Sequence, residues 1–299
     1  MLAFIAYPPI PMWEIGPLRL SLHGVFAGVG FMAGAVLATR EFRRRDLDAA
    51  AYQSALLWGL VGAILGARLL TAPAMILGGT PILEALNPVA GNFSIMGGFA
   101  GGILAGLVRA RALGLPLLPT LDASAHGLAL GTVVGRLGDI AIVEHLGRAT
   151  AVPWGYGVRP AYDLAPQHNL LECGPARATP EGLCPVPGLD SLADAVGAGA
   201  PGIYHHVAAY DLIGAAVLLG ALFVLGRRFH LDPGRLFFLW MAWYGIQRFL
   251  LDSLRFGNGD ATLGLFTWNQ VSGLTAGVAG AVLMWWTASR GRQVVSSEY

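Results

Sequence analysis

The chain contains no lysine: all 19 basic residues are arginine, a bias that we read as base composition more than function. Charge of either sign is scarce, at 12% of 299 residues, where a soluble domain carries about 25%. The formal net charge of +1 supplies no bulk field for nucleic acid. No basic stretch with interleaved aromatics, no zinc-ligand spacing and no phosphate-cradling GxxxxGK occurs. The N-terminal MLAFIAYPPIPMWEIG lacks a basic region and a small-residue cleavage site, so a cleaved signal peptide is not expected. Cysteine is confined to Cys173 and Cys184, whose spacing fits neither a metal site nor a CxxC redox pair.

What the chain has is apolar length. It is 55% hydrophobic, with a mean hydropathy of +0.59. Its 42 glycines suit close helix packing in lipid. Stretches long enough to span a bilayer fall at about 18–39, 53–73, 94–113, 121–143, 205–226, 235–255 and 268–289. The expectation is an all-α polytopic membrane protein, one transmembrane domain over 1–299 with seven transmembrane helices. Arginine placement orients it. Arg40, Arg43, Arg44 and Arg45 follow the first span, Arg109 and Arg111 the third, and Arg290 and Arg292 the seventh. Arg227, Arg228 and Arg235 lie between the fifth and sixth, whereas 74–93 has no arginine. The N-terminus is therefore expected outside and the C-terminus in the cytoplasm. The Pro-, Gly- and Ala-rich stretch 149–203 becomes an extracytoplasmic loop. In that oxidising compartment Cys173 and Cys184 either form a disulfide or remain two thiols in a loop.

Ionisable residues in the spans gather at one depth. His23 is near the outer end of the first span and Arg68 in the outer part of the second. Arg136, Asp139, Glu144 and Arg148 close the fourth on its outward side; His205, His206 and Asp211 open the fifth. Tyr244, Arg248, Asp252 and Arg255 fall at i, i+4, i+8 and i+11, one face of the sixth helix. Arg136 and Asp139 are i, i+3 neighbours, and Glu144 and Arg148 would be i, i+4 if the helix continued that far. A charge at the bilayer centre costs at least ~2.5–3.5 kcal/mol, so these groups should face a polar cavity or one another. Two readings stand: intrahelical or snorkelling charges with a structural role, or an anion site in the outer half of the membrane. Guanidinium groups from the second, fourth and sixth spans would suit a phosphate or carboxylate through bidentate hydrogen bonds. At that depth a phospholipid headgroup is the most available anion.

The ordered motifs resemble the prolipoprotein diacylglyceryl transferase family. They are IGPLRLSLHG at 15–24, LGAR at 65–68, SIMGG at 94–98, GRLGDIAIVEHLGRAT at 135–150 with PWG at 153–155, YHHVAAYD at 204–211, YGIQRFLLDSLR at 244–255 and NQVSGL at 269–274. The resemblance implies transfer of a diacylglyceryl group from phosphatidylglycerol to the thiol of a lipobox cysteine in a precursor lipoprotein. It further implies a multi-pass protein of the bacterial inner membrane working at the outer leaflet. The nucleophile comes from the substrate, and no metal or organic cofactor is implied. Arg136, Glu144, Gly147, Arg148, Tyr244, Arg248 and Arg255 match the family's functional positions, and Asp252 keeps a carboxylate. Arg136 and Arg248 are the expected phosphate clamp. Arg68, Met96, Gly97, Gly98 and Asp139 are further expected substrate contacts.

Departures accompany the matches. Met96 stands where the family has a histidine, Asp139 and Ile142 where it has asparagines, and His23 where it has tyrosine. Methionine carries no titrating proton, so His23 is a candidate for the displaced imidazole, with His145 and His205 behind it. Asp139 beside Arg136 partly neutralises the clamp. A divergent paralogue that binds phospholipid or precursor without this catalysis is the rival reading. A transporter is disfavoured, because the charges lie at one depth and no inverted repeat is visible.

Overall fold

The computed structural model describes residues 4–10, 13–15, 18–20, 22–77, 79–87, 94–160, 178–180, 182–185, 202–255, 262–263 and 265–296. Eight helices dominate them: α1 (Leu22–Arg43), α2 (Ala49–Leu77), α3 (Ile82–Leu86), α4 (Ile95–Ala112), α5 (Leu117–Ala141), α6 (Val207–Arg228), α7 (Arg235–Leu254) and α8 (Trp268–Ser296). All but the short α3 overlie the seven stretches expected from apolar length. Among the described residues, three helices are long and apolar enough to cross a membrane: Leu22–Arg43, Ala49–Pro73 and Val207–Arg228. Large apolar side chains point outward, among them Met32, Leu57, Leu104, Ile213 and Trp285. Such a surface would be unstable in water and suits lipid.

The chain forms two compact units. One comprises Met1–Gly34, Leu128–His230 and Phe238–Tyr299; the other comprises Ala35–Gly127 and Leu231–Phe237. In the second unit, α2 and α4 meet through glycine. A Cβ on Gly62 would come within 2.4 Å of the Gly101 carbonyl oxygen, and one on Gly66 within 2.4 Å of that of Gly97. Small residues here let two backbones touch, which is how helices associate where no hydrophobic drive exists. Beside them, Phe42 stacks on Tyr52 at 4.2 Å, and the Tyr52 hydroxyl meets Ser124 Oγ at 2.8 Å. Asp122 accepts from the backbone N–H groups of Gly234 (2.8 Å) and Phe237 (3.0 Å) at the start of α7, satisfying donors that a helix N-terminus leaves open.

The described residues are mostly helical, as expected, and the first unit adds short strands to its helices. Strands β1 (Trp13–Ile15) and β2 (Leu18–Leu20) form a hairpin. Strands β3 (Leu146–Ala149), β4 (Tyr156–Gly157) and β5 (Ile203–His206) form an antiparallel sheet in the order β3-β5-β4. Short β6 (Thr262–Leu263) and β7 (Phe266–Thr267) precede α8. Ile5 adds a parallel bridge to Tyr156. Buried Val143, Leu146, Tyr156, Val158, Cys184 and Tyr204 give the small sheet its own core. Cys184 is disulfide-bonded; Cys173 lies outside the described residues.

The end of α5 is a correction. The helix stops at Ala141, before Glu144. Val143 (φ 53°) and His145 (φ 64°) are both left-handed, a conformation that costs about 1–3 kcal/mol each and collects at functional sites. Glu144 sits between them. Arg148 is on β3, so the two are not an i, i+4 helical pair. His205 and His206 likewise belong to β5, with α6 beginning at Val207.

Candidate active site

Arg136 is the centre of a buried ion network in the first unit. Its Nη1 donates to Asp139 Oδ2 on its own helix. Its Nη2 lies 2.6 Å from Asp211 Oδ2 on α6. Gln247 of α7 then donates from Nε2 to Asp211 Oδ1 (2.6 Å) and to the Asp211 carbonyl (3.0 Å). Three helices are thus tied through one guanidinium and one carboxylate. Buried polar groups persist only when each is satisfied, and this chain of bonds does so.

The second oxygen of Asp139 reaches α1, where it accepts from His23 Nδ1. The same nitrogen lies 3.6 Å from Glu144 Oε2. Close approach of the helices requires Gly138, where a Cβ would stand 2.8 Å from Phe26 Cβ and 3.1 Å from His23 Cα. His145 Nε2 approaches Asp139 Oδ2 at 4.0 Å. On its other side His145 Nδ1 accepts from Arg255 Nη2 at 2.9 Å. Burial first, then the Arg255 charge, hold the His145 imidazole well below its ordinary pKa, so it stays a neutral acceptor.

On α7, Asp252 accepts from Thr267 Oγ1 at 2.5 Å and lies 4.0 Å from Arg255 Nη1. Tyr244 is buried and stacks on Trp240 at 5.6 Å. It lies in the fields of Arg248, Arg136 and Arg255 together. His145 feels the same three cations. Arg136 and Arg248 therefore act on common neighbours. Gly147 bridges to Arg255, and a Cβ there would come 2.4 Å from the Leu254 carbonyl oxygen. Its place in the motif is explained by that contact.

Arg148 is exposed and has no ion pair among the described residues. Arg68 belongs to the second unit, where it is buried and donates from Nη2 to the Glu84 carbonyl at 2.6 Å. Gly97 and Gly98 are also in that unit, and Gly97 serves the α2–α4 contact. Met96 occupies the first turn of α4, its side chain outside the described set.

Two participants carry no sequence signal of their own. Gln247 ties α7 to Asp211. Tyr7, in the N-terminal segment, donates to the Ile140 carbonyl at 2.6 Å and meets His206 Nε2 at 2.7 Å. Burial pushes the Tyr7 hydroxyl up to about 12, so it remains a donor. Burial also lowers His206 to about 4. Unfolded histidine titrates near 6.5. Between those values the unfolded chain takes up a proton that the folded chain refuses, so stability falls as pH drops through that window. The loss is expected to reach at most about 3 kcal/mol. His206→Gln, which keeps a donor for Tyr7, should flatten it. Thermal unfolding of both proteins in detergent from pH 7 to 4 checks this, and parallel curves would contradict it.

His23, Asp139 and Glu144 bring one ligand atom each within 4.8 Å of one another, a trio able to hold a cation. Arg136, bonded to the far oxygen of Asp139, places positive charge alongside and opposes one.

Comparison with known proteins points the same way. Residues 11–286 match the family model described as prolipoprotein diacylglyceryl transferase. A phosphatidylglycerol–prolipoprotein diacylglyceryl transferase of Thermus thermophilus is 31% identical over 88% of this chain and 92% of its own length. One of Rhodococcus jostii is 26% identical over 98% of this chain and 77% of its own. One of Frankia alni is 27% identical over 88% of this chain and 62% of its own.

Proposed function

The chain belongs to the prolipoprotein diacylglyceryl transferase family, and from that premise we propose that it moves a diacylglyceryl group from phosphatidylglycerol to the lipobox cysteine of precursor lipoproteins. The observation that carries the reading is the buried Arg136, tied to Asp139 and Asp211 beside a helix face bearing Tyr244, Arg248 and Arg255. In this reading the seven long helices span the inner membrane as one domain. The N-terminus and the 149–203 loop lie outside, and the C-terminus lies in the cytoplasm. The site then opens towards the outer leaflet, where both substrates reside.

The reaction forms a thioether at a saturated glyceryl carbon while a glycerol phosphate leaves. Charge accumulates on the departing phosphate oxygen, and cations held in a low-dielectric site stabilise it strongly. A guanidinium has five N–H donors. In Arg136 one from each Nη goes to a carboxylate, which by count leaves three for a phosphate. The two carboxylates hold the fork in place and together outweigh its single positive charge. Arg248 and Arg255 restore the positive balance at Tyr244. Glu144, presented between two left-handed residues, faces the same network through His23. No metal or organic cofactor enters this scheme.

The rival reading, a lipid- or precursor-binding paralogue, draws on Asp139 occupying a donor of Arg136. Transfer of radiolabelled diacylglyceryl from phosphatidylglycerol to a lipobox peptide separates the two. Purified protein is expected to label the peptide at its cysteine. Lipid binding without any labelling would assign the chain to the paralogue.

A further inference from the structure

Alkylation of a thiol proceeds through the thiolate, and a cysteine near its ordinary pKa of about 8.5 is mostly protonated at neutral pH. The proposed transfer therefore needs a base. Each of three other described histidines in the unit that holds Arg136 has a ring nitrogen bonded to a group that is not a carboxylate. His206 meets Tyr7 through Nε2. His145 takes a hydrogen bond from Arg255. His205 meets the Tyr210 hydroxyl at 3.0 Å. His23 is in hydrogen-bond contact with a carboxylate, through Nδ1 to Asp139 Oδ1, and its side chain is 43% exposed.

We propose that His23 and Asp139 form a dyad in which His23 takes the proton of the substrate thiol and Asp139 is its positioning residue. The proposal rests on the transferase reading above. Asp139 Oδ1 holds the proton on Nδ1, which makes Nε2, across the ring, the basic nitrogen. Gly138 is what brings α1 near enough to α5 for this bond. Among the described residues, the charged groups facing His23 include Asp139, Arg136 behind it, and Glu144.

The balance is as follows. The S–H proton passes to Nε2, and a sulfur electron pair forms the C–S bond to the glyceryl carbon. The C–O bond to phosphate breaks, its electron pair staying on the phosphate oxygen. The imidazolium later returns its proton to water. Asp139 joins the two halves, since one oxygen holds His23 and the other holds Arg136. As His23 becomes cationic it draws Asp139 towards itself and loosens Arg136 Nη1, at the moment when the phosphate gains charge.

The test compares wild type, His23→Phe and Asp139→Asn in single-turnover transfer from phosphatidylglycerol. The acceptor is a lipobox peptide carrying either cysteine or selenocysteine at the acceptor position, between pH 6 and 9. With the thiol peptide at pH 7, His23→Phe should be slower by about 100-fold, the lower range for general base catalysis. Its rate should rise about tenfold per pH unit below the thiol pKa. With the selenol peptide, already ionised, the defect should shrink to a few-fold. Asp139→Asn should fall between wild type and His23→Phe and keep the same selenol rescue. Equal rates for wild type and His23→Phe on the thiol peptide would overturn the dyad alone. So would an equal loss on both peptides, which is the mark of structural damage. Activity abolished by EDTA and restored by zinc would give the trio to a metal instead. A silent wild type would remove the transferase reading and the dyad together.

Discussion

Replacing Arg136 by alanine is expected to abolish diacylglyceryl transfer and to destabilise the protein at once. Removing one preorganised group that stabilises a developing oxyanion costs about 10²–10³ in rate. Arg136 is buried and serves two buried carboxylates as well. Taking away one partner of a buried pair costs about 3–5 kcal/mol, because the remaining charge is left uncompensated. Alanine therefore confounds two losses, and two further variants separate them. Arg136→Lys keeps a positive charge but not the planar fork; it should fold, with transfer down by about 10²-fold. Arg136→Gln combined with Asp139→Asn and Asp211→Asn removes the charges together. That protein should regain most of its thermal stability and none of its activity. Wild-type transfer rates in the triple variant would show that the guanidinium only holds helices together.

The residues of this network divide by how they could be read from sequence. Arg136 with Asp139, and Tyr244 with Arg248, Asp252 and Arg255, were legible because helical spacing puts them on common faces. The long helices were legible because lipid demands uninterrupted apolar length. The end of α5 was not. Val143 and His145 adopt left-handed backbone that neither residue type signals, and β-branched valine disfavours it. The expected span to about residue 143 ran slightly past that end, and the condition for a helical Glu144–Arg148 pair is not met. The sheet β3-β5-β4 was missed because its strands are two to four residues long and its core includes Tyr156, Val158 and Cys184 from the loop between spans. Asp211 was visible as a charge opening a span, but its bond to Arg136 depends on how α5 and α6 pack. Tyr7 and Gln247 act through hydrogen bonds across the fold, for which periodicity has no counterpart. Asp139 was read as a weakening of the clamp. The contact with His23 gives it a second partner and turns two separate departures from the family pattern into one pair.

The other large effect is expected in the second unit, at the contact of α2 and α4. Gly101→Val should prevent stable accumulation of the protein. In water a bulky side chain between two helices is opposed by the hydrophobic effect that drives them together. In lipid that drive is absent, and association rests on van der Waals contact between backbones. At Gly101 a Cβ would stand 2.3 Å from the Gly62 carbonyl oxygen and 2.8 Å from Gly66 Cα. Both obstacles are backbone, so no rotamer relieves them, and α2 and α4 must separate along their length. The cost should exceed about 3 kcal/mol, the upper end for overpacking a core. Gly106→Ala on the same helix is the control, since its Cβ would meet the Ala55 carbonyl oxygen at an ordinary 3.5 Å. It removes a glycine and adds the same carbon, yet should accumulate and melt like wild type. Quantifying both variants in membrane fractions, with melting curves in detergent, decides the matter. If Gly101→Val accumulates normally, the two helices are not held by backbone contact, and the glycines of SIMGG and LGAR need another explanation.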